Sequence, residues 1–292
     1  MSTQLTPERV EATGGPALRP ALPPTGPAEA PPKSPARRIR DAAAAVFGSL
    51  WLIALLLVGW QLMAMYGSDL VPGPVESVQR LWAMTTDGRL SEPVQATMTR
   101  LVVGFTLGIM TAVPIGLAVG LSRVLDRAAS PILLGLQSVP TIAWLPFAII
   151  WFGLTAQAVL FIVWFGTAVP LAVATLGAVK QIPPLLDRAS RVMGAHGFFR
   201  YRTFVLPAVV PGLISGLRLS WSFAWRSAMA AELIVAAPGL GQVLEAERNL
   251  NRYDGVAAVI MVIALLGIVA EQLIFRPIED LVVRRYGLAA RR

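Results

Sequence analysis

The chain has 292 residues, 55% of them hydrophobic and 14% charged, with a mean hydropathy of +0.63 and a formal net charge of +8. Soluble domains carry about one quarter charged residues, so this composition excludes an ordinary soluble protein and points to an integral membrane chain. The basic residues gather at the ends of apolar runs, which argues against a nucleic-acid partner, and the lack of cysteine excludes disulfides, thiol nucleophiles and thiolate metal sites.

Residues 1–40 are rich in Pro, Ala and Gly without apolar periodicity, which predicts a disordered cytoplasmic tail; no apolar core follows Met1, so no signal peptide is expected. The remaining stretch, 41–292, reads as a transmembrane domain. Arg37, Arg38 and Arg40 precede a charge-free run that predicts a first span near 45–66. Further spans are predicted near 100–122, 131–152, 157–179, 208–235 and 255–274, with WFGLTAQA (151–158) separating the third from the fourth. Gly104, Gly108, Pro114, Gly116 and Gly120 lie in the second span, Pro140 and Pro146 in the third, and Pro170 in the fourth. Singly, each glycine fits generic helix packing; together they fit a bundle with bends, as a conduit that changes shape needs.

Six spans put both termini on one side. With the N-terminus inside, the cytoplasmic segments hold 18 Lys and Arg residues against four outside (Arg80, Arg89, Arg248 and Arg252), which fixes the orientation by the positive-inside rule. The sequence has no GxxxxGK[ST] phosphate loop, no HExxH, and no carboxylate partner within a few residues of the single histidine, His196. No catalysis, cofactor or metal is expected, so uphill transport would draw on an ion gradient or on another subunit.

Between the fourth and fifth spans lies a long cytoplasmic loop, 180–207. Pro183 and Pro184 stop one helix and can begin another. Leu185, Ala189, Val192 and Met193 then form one apolar stripe at helical spacing, with Asp187, Arg188 and Arg191 on the rest. Gly194 ends or bends that helix, and Leu206–Pro207 leads into the fifth span. On physical grounds two readings stay open: an amphipathic helix on the inner leaflet, or an element that docks a protein.

Gly194, nine residues, Phe204, one residue and Leu206–Pro207 resemble the EAA signature of the permease subunits of binding-protein-dependent ABC importers. Arg188, Ala189 and Ser190 occupy its EAA positions, so an arginine stands where the signature has glutamate, with Asp187 one place earlier. Segments 71–84, 99–122, 136–160 and 231–247 resemble the nitrate, sulfonate and taurine branch of that family, above all in SVPTIAWLPFAIIWFG. The resemblance implies an all-α, polytopic membrane bundle of six transmembrane helices, like a type I importer permease. It implies a coupling helix in 184–200 that enters a groove on a separate cytoplasmic ABC ATPase, with Asp187, Arg188, Ala189, Ser190, Gly194, Leu206 and Pro207 as coupling residues. It also implies an extracytoplasmic solute-binding protein, a second permease copy as a homodimer, and a multi-pass location in a prokaryotic inner or plasma membrane.

The fifth span carries Arg218, Arg226 and Glu232. A charge in a span costs about 2.5–3.5 kcal/mol on insertion scales and usually faces a bundle interior or a wet cavity. Either Arg226 pairs with a carboxylate such as Glu232 and serves packing, or it gives a pathway a positive potential that favours an anion such as sulfonate or nitrate. Six residues subtend about 240° on a helix, so the pair would need a bend or a partner from elsewhere. Trp221 and Trp225, one turn apart, could line a pathway or pack. The rival to an importer subunit is a self-contained secondary transporter or channel, which should show inverted repeats; none is evident. A membrane enzyme or sensor would need a catalytic constellation or an output domain, and neither is visible.

Overall fold

The computed structural model describes residues 35–66 and 71–286, with the side chains of 35–46, 49, 50, 187, 191 and 198 excluded. The predicted tail, 1–34 of it, therefore lies outside the described residues; helix starts at Pro35. The chain divides into a compact unit ending at Leu55 and a second from Leu56 onward.

The first helix, α1, runs Pro35–Tyr66 and covers the first predicted span. A short helix α2 (Pro74–Thr86) follows. Its start is set locally: Pro74 occupies the first turn, where a missing N–H costs nothing, and the Glu76 carboxylate accepts from the Gly73 N–H at 3.2 Å. The long helix α3 (Ser91–Leu121) crosses to Ser122, whose side chain caps α4 (Arg123–Ser138) through the Leu125 N–H. The connection between α3 and α4 is thus a single residue, and Arg123 and Arg127 lie in the first turns of α4.

The third predicted span is not one rod. α4 and the next helical stretch, a 3-10 turn at Thr141–Trp144 continuing into α5 (Leu145–Phe152), meet at 97°. Pro140 causes the break. It has no N–H for a helix ladder, and its ring drives the preceding residue out of helical space, so Val139 is extended at φ −82°, ψ 126°. The break expected at 151–158 is also present: Gly153 takes φ +73° between α5 and α6 (Ala156–Lys180).

α6 is the centre of the bundle. On one side α3 lies against it through a seam of small residues every four positions. A Cβ on Gly104 would come within 2.6 Å of Val163, one on Gly108 within 2.5 Å of Thr167, and one on Gly116 within 2.6 Å of Thr175. Ala112 and Leu171 close the middle of the seam, both fully buried. Two backbones can approach this closely only where side chains are absent. The threonines facing the glycines hide their hydroxyls by donating one turn back, Thr167 to the Val163 carbonyl at 2.8 Å and Thr175 to that of Leu171 at 2.7 Å.

On its other side α6 meets α9 (Leu206–Ile234), where Gly212 sits over Ala178, Gly216 over Ala174, and Gly166 of α6 over Ser227. Two short helices, α7 (Pro184–Val192) and α8 (Gly197–Arg200), connect α6 to α9. Beyond α9, a turn leads to α10 (Leu240–Asn249) and α11 (Tyr253–Ala270), which continues into α12 (Arg276–Arg285). Met84 of α2, Leu240 of α10, and Ala258, Val259 and Val262 of α11 form a separate apolar cluster, and Arg80 bridges to Glu247 at 3.0 Å.

Among the described residues, two π turns interrupt the ladder, at Tyr201–Val205 before α9 and Glu271–Phe275 before α12. In each, the N–H after the turn bonds five residues back, Leu206 to the Tyr201 carbonyl and Arg276 to that of Glu271. A proline comes next in both cases, Pro207 and Pro277. A proline ring collides with the carbonyl four residues earlier, and the wider π turn gives that carbonyl room.

Among the described residues, four helical segments are long and apolar enough to cross a membrane (91–121, 156–180, 201–234 and 253–285), and the bent α4–α5 pair makes a fifth if it counts as one span. The described apolar part of α1, Trp51–Tyr66, is shorter than these. The protein is an all-α, multi-pass membrane bundle. Large apolar side chains such as Met110, Ile150 and Leu273 stand exposed along its spans, as a lipid-facing surface requires.

Candidate functional site

The 180–207 loop folds as two short helices joined by a tight turn. α7 is strongly amphipathic in outcome: Leu185 and Val192 are 77% and 88% exposed, and Met193 is also exposed. Its other face is packed, with Ser190 and Ala195 buried, and the Ala195 N–H bonds the Ser190 carbonyl at 3.0 Å. Gly194 between them has φ +75°, a left-handed conformation that a side chain disfavours, although nothing would touch its Cβ. Backbone conformation, not space, therefore demands glycine here. Arg188 is exposed and Ala189 half-buried. Asp187 lies on α7, but its side chain is outside the described residues. Leu206 is exposed at the start of α9, and Pro207 directly follows the π turn.

The base of this loop is tied to the bundle. Lys180, at the end of α6, pairs with Asp126 of α4 at 2.6 Å, and Ser130 donates to the same carboxylate. A cavity of about 410 Å³ opens beside them, lined by Arg123, Asp126, Lys180, Ser190, Arg200 and Tyr201 among others. α7 is thus seated through one face while its apolar stripe points outward.

The charges within the spans divide into paired and unpaired ones. Glu232 is 1% exposed and receives both hydroxyl and amide donors: Thr97 at 2.9 and 3.0 Å, the Gly241 N–H at 3.1 Å, and the guanidinium of Arg100. Arg100 also donates to the Pro238 carbonyl, and the Leu240 N–H donates to Thr97 at 2.9 Å. The turn 238–241 wraps so closely that a Cβ on Gly239 would sit 2.5 Å from the Glu232 carboxylate. Arg218 pairs with Glu271 and, at 2.8 Å, with Glu279. Glu232 and Arg226 are therefore not partners; the carboxylate is answered from α3.

Arg226 is exposed, donates its Nε to the Ser222 carbonyl of its own helix at 3.1 Å, and stands 4.8 Å over the Phe223 ring. No carboxylate pairs with it among the described residues. It borders two cavities, one of about 310 Å³ at the α4–α5 bend, lined by Gln137, Thr141, Phe165, Phe223 and Ser227, and one of about 650 Å³ beside α11. Trp221 and Trp225 both line the second cavity, and Trp221, 8% exposed, also packs on Phe105 and Phe275, with ring centroids at 5.2 and 5.7 Å. The two tryptophans lie 6.3 Å apart. The sequence reading had missed Arg100 and Thr97. Arg100 stands at the edge of an apolar run, and a second buried charge with no local partner was the available signal.

The chain matches the family described as binding-protein-dependent transport system inner membrane component over residues 104–276. It is 31% identical to a putative ABC transporter permease protein of Methanocaldococcus jannaschii, across 78% of this chain and 88% of that one. It is 28% identical to the taurine transport system permease of Escherichia coli (76% of this chain, 84% of that one) and 25% identical to a nitrate import permease of Synechocystis (79% and 87%). Among solved structures, an inward-facing form of the MetNI methionine ABC transporter superposes with a TM-score of 0.57 at 23% identity, over 65% of this chain and 94% of that one. That likeness concerns the fold.

Proposed function

We infer the function from one premise: the chain belongs to the family of binding-protein-dependent transport system inner membrane components, and within it to the nitrate, sulfonate and taurine branch. It is a permease subunit of an ABC importer. We propose that it forms the pathway for a small anionic solute and takes its energy from a separate cytoplasmic ATPase. The observation that carries the second part is α7. An amphipathic helix seated by one face, with Leu185, Val192 and Met193 bare on the other, needs an apolar groove to cover it, and a turn at Gly194 holds it at a fixed angle.

α8, the π turn and Pro207 join that helix to α9, so a displacement of α7 is passed through them into the helix that carries Arg218 and Arg226. The Asp126–Lys180 pair gives the loop its fixed end. The basic excess on the loop and both tails supports an inside location for all three in a prokaryotic inner membrane, where α7 can reach an ATPase and an outside binding protein can deliver solute. Two copies of the chain would enclose the pathway. Glu232, enclosed by Thr97, Arg100 and the 238–241 turn, acts as the clasp that fixes the outer end of α9, while Arg226 faces the pathway.

Isolation of the tagged chain from mild detergent tests this reading. A co-purifying ABC ATPase, lost when Leu185 and Val192 are both replaced by Asp, is the expected result. Recovery of the chain without any ATPase under several detergents would overturn it.

A further inference from the structure

Resting on that reading, we propose that the cavity at the α4–α5 bend is an oxyanion subsite within the permease itself, with Arg226, Ser227, Thr141 and Gln137 as the donors that hold a sulfonate or nitrate group. The charge accounting points there first. Arg100 and Arg218 both meet carboxylates, whereas Arg226, eight residues before the end of α9, meets none among the described residues. Only its Nε is engaged, by the Ser222 carbonyl, which leaves both terminal nitrogens free to donate. An uncompensated guanidinium in a span is costly, and an anion is what would neutralise it.

The second observation is independent of that charge. Ser227 is 6% exposed and lines the cavity, yet its hydroxyl has no hydrogen-bond partner among the described residues, unlike Thr167 and Thr175, which bond one turn back. The Thr141 hydroxyl and the Gln137 amide, also half-buried in the lining, are without partners as well. No carboxylate lines this cavity. A group of donors around one guanidinium is the complement of a three-oxygen anion, which is acceptor-only.

Size and position agree. About 310 Å³ is at the lower end of small-molecule sites, enough for a compact solute. The site lies at a broken helix, the one place in a span where irregular backbone is tolerated because it lines a cavity. Phe165 and Phe223 on its walls offer an apolar surface to a short tail behind the charged head. The permease thus selects by charge a second time, after delivery.

The test is ATP-driven uptake of nitrate and of methanesulfonate into proteoliposomes holding the full-length permease, its ATPase and its binding protein, with neutral dimethyl sulfone as control. Arg226→Gln is expected to lower anion uptake about tenfold or more, Arg226→Lys to keep a measurable part, and Thr141→Val with Ser227→Ala to lower it several-fold. Should Arg226→Gln fail to assemble, the double variant decides. Wild-type liposomes that take up neither anion would defeat the importer-of-anions reading; wild-type uptake that Arg226→Gln and the double variant match within twofold would defeat the subsite alone. Uptake of dimethyl sulfone at the anion rate would also overturn it.

Discussion

Arg226 and Glu232 stand six residues apart on α9 and meet opposite surroundings. Glu232 has both oxygens answered from α3 and the 238–241 turn, while Arg226 keeps two nitrogens free beside a cavity. Removing one partner of a buried ion pair leaves the other charge stranded, at about 3–5 kcal/mol. Glu232→Ala should therefore lower thermal stability in detergent strongly, and Glu232→Gln, which keeps acceptors for Thr97 and Gly241, less so; equal melting temperatures for Glu232→Ala and wild type would contradict the clasp. At Gly194 the demand is conformational. A side chain at φ +75° costs about 1–2 kcal/mol, and the angle of α7 shifts to relieve it. Gly194→Leu should insert normally yet separate ATP hydrolysis from uptake, and transport at the wild-type rate would remove Gly194 from the coupling role. The turn at Gly194 and the helix start at Leu206–Pro207 were legible because glycine accepts a left-handed turn and proline a first helical turn. Arg100 was not: a lone arginine at the rim of an apolar run looks like a boundary until the helix around it is found to begin nine residues earlier, at Ser91.

At the scale of elements, the α3–α6 seam carries the bundle. Each glycine on α3 faces a branched side chain on α6, so added bulk has nowhere to go. Gly108→Leu is expected to cost roughly 1–3 kcal/mol by overpacking, read as a lowered melting temperature, whereas Gly135→Leu, where a Cβ meets nothing within 4 Å, should be tolerated. A comparable loss in both variants would contradict the seam. The regular four-residue spacing made the glycines visible in the sequence, but not their partners, because α6 is apolar all round and shows no face. The bend at Val139–Pro140 was likewise hidden. An uncharged run reads as continuous hydrophobicity, and proline inside a span is compatible with a kink as well as a full break. The π turns could not be read at all, since they follow from prolines that α9 and α12 accommodate by widening one turn rather than by stopping.

At the scale of the molecule, the chain is a multi-pass helical bundle, and the proposed coupling makes α7 its moving part. Small-residue seams let α3, α6 and α9 lie close, π turns join the loop and tail helices to the spans, and α7 offers an exposed apolar stripe. The membrane class and the long apolar helices were readable from hydropathy, since lipid imposes that constraint on any sequence. What depends on contacts between distant helices, such as the clasp and the cavity, needed the fold. The account stands on one claim: ATP hydrolysis on another chain drives solute through this one. The direct measurement is anion uptake into proteoliposomes containing the permease, with and without the ATPase and ATP. Uptake that appears only with ATPase, ATP and binding protein together is the predicted result. Uptake by the permease alone, following an ion gradient, would contradict the account and identify a self-contained secondary transporter.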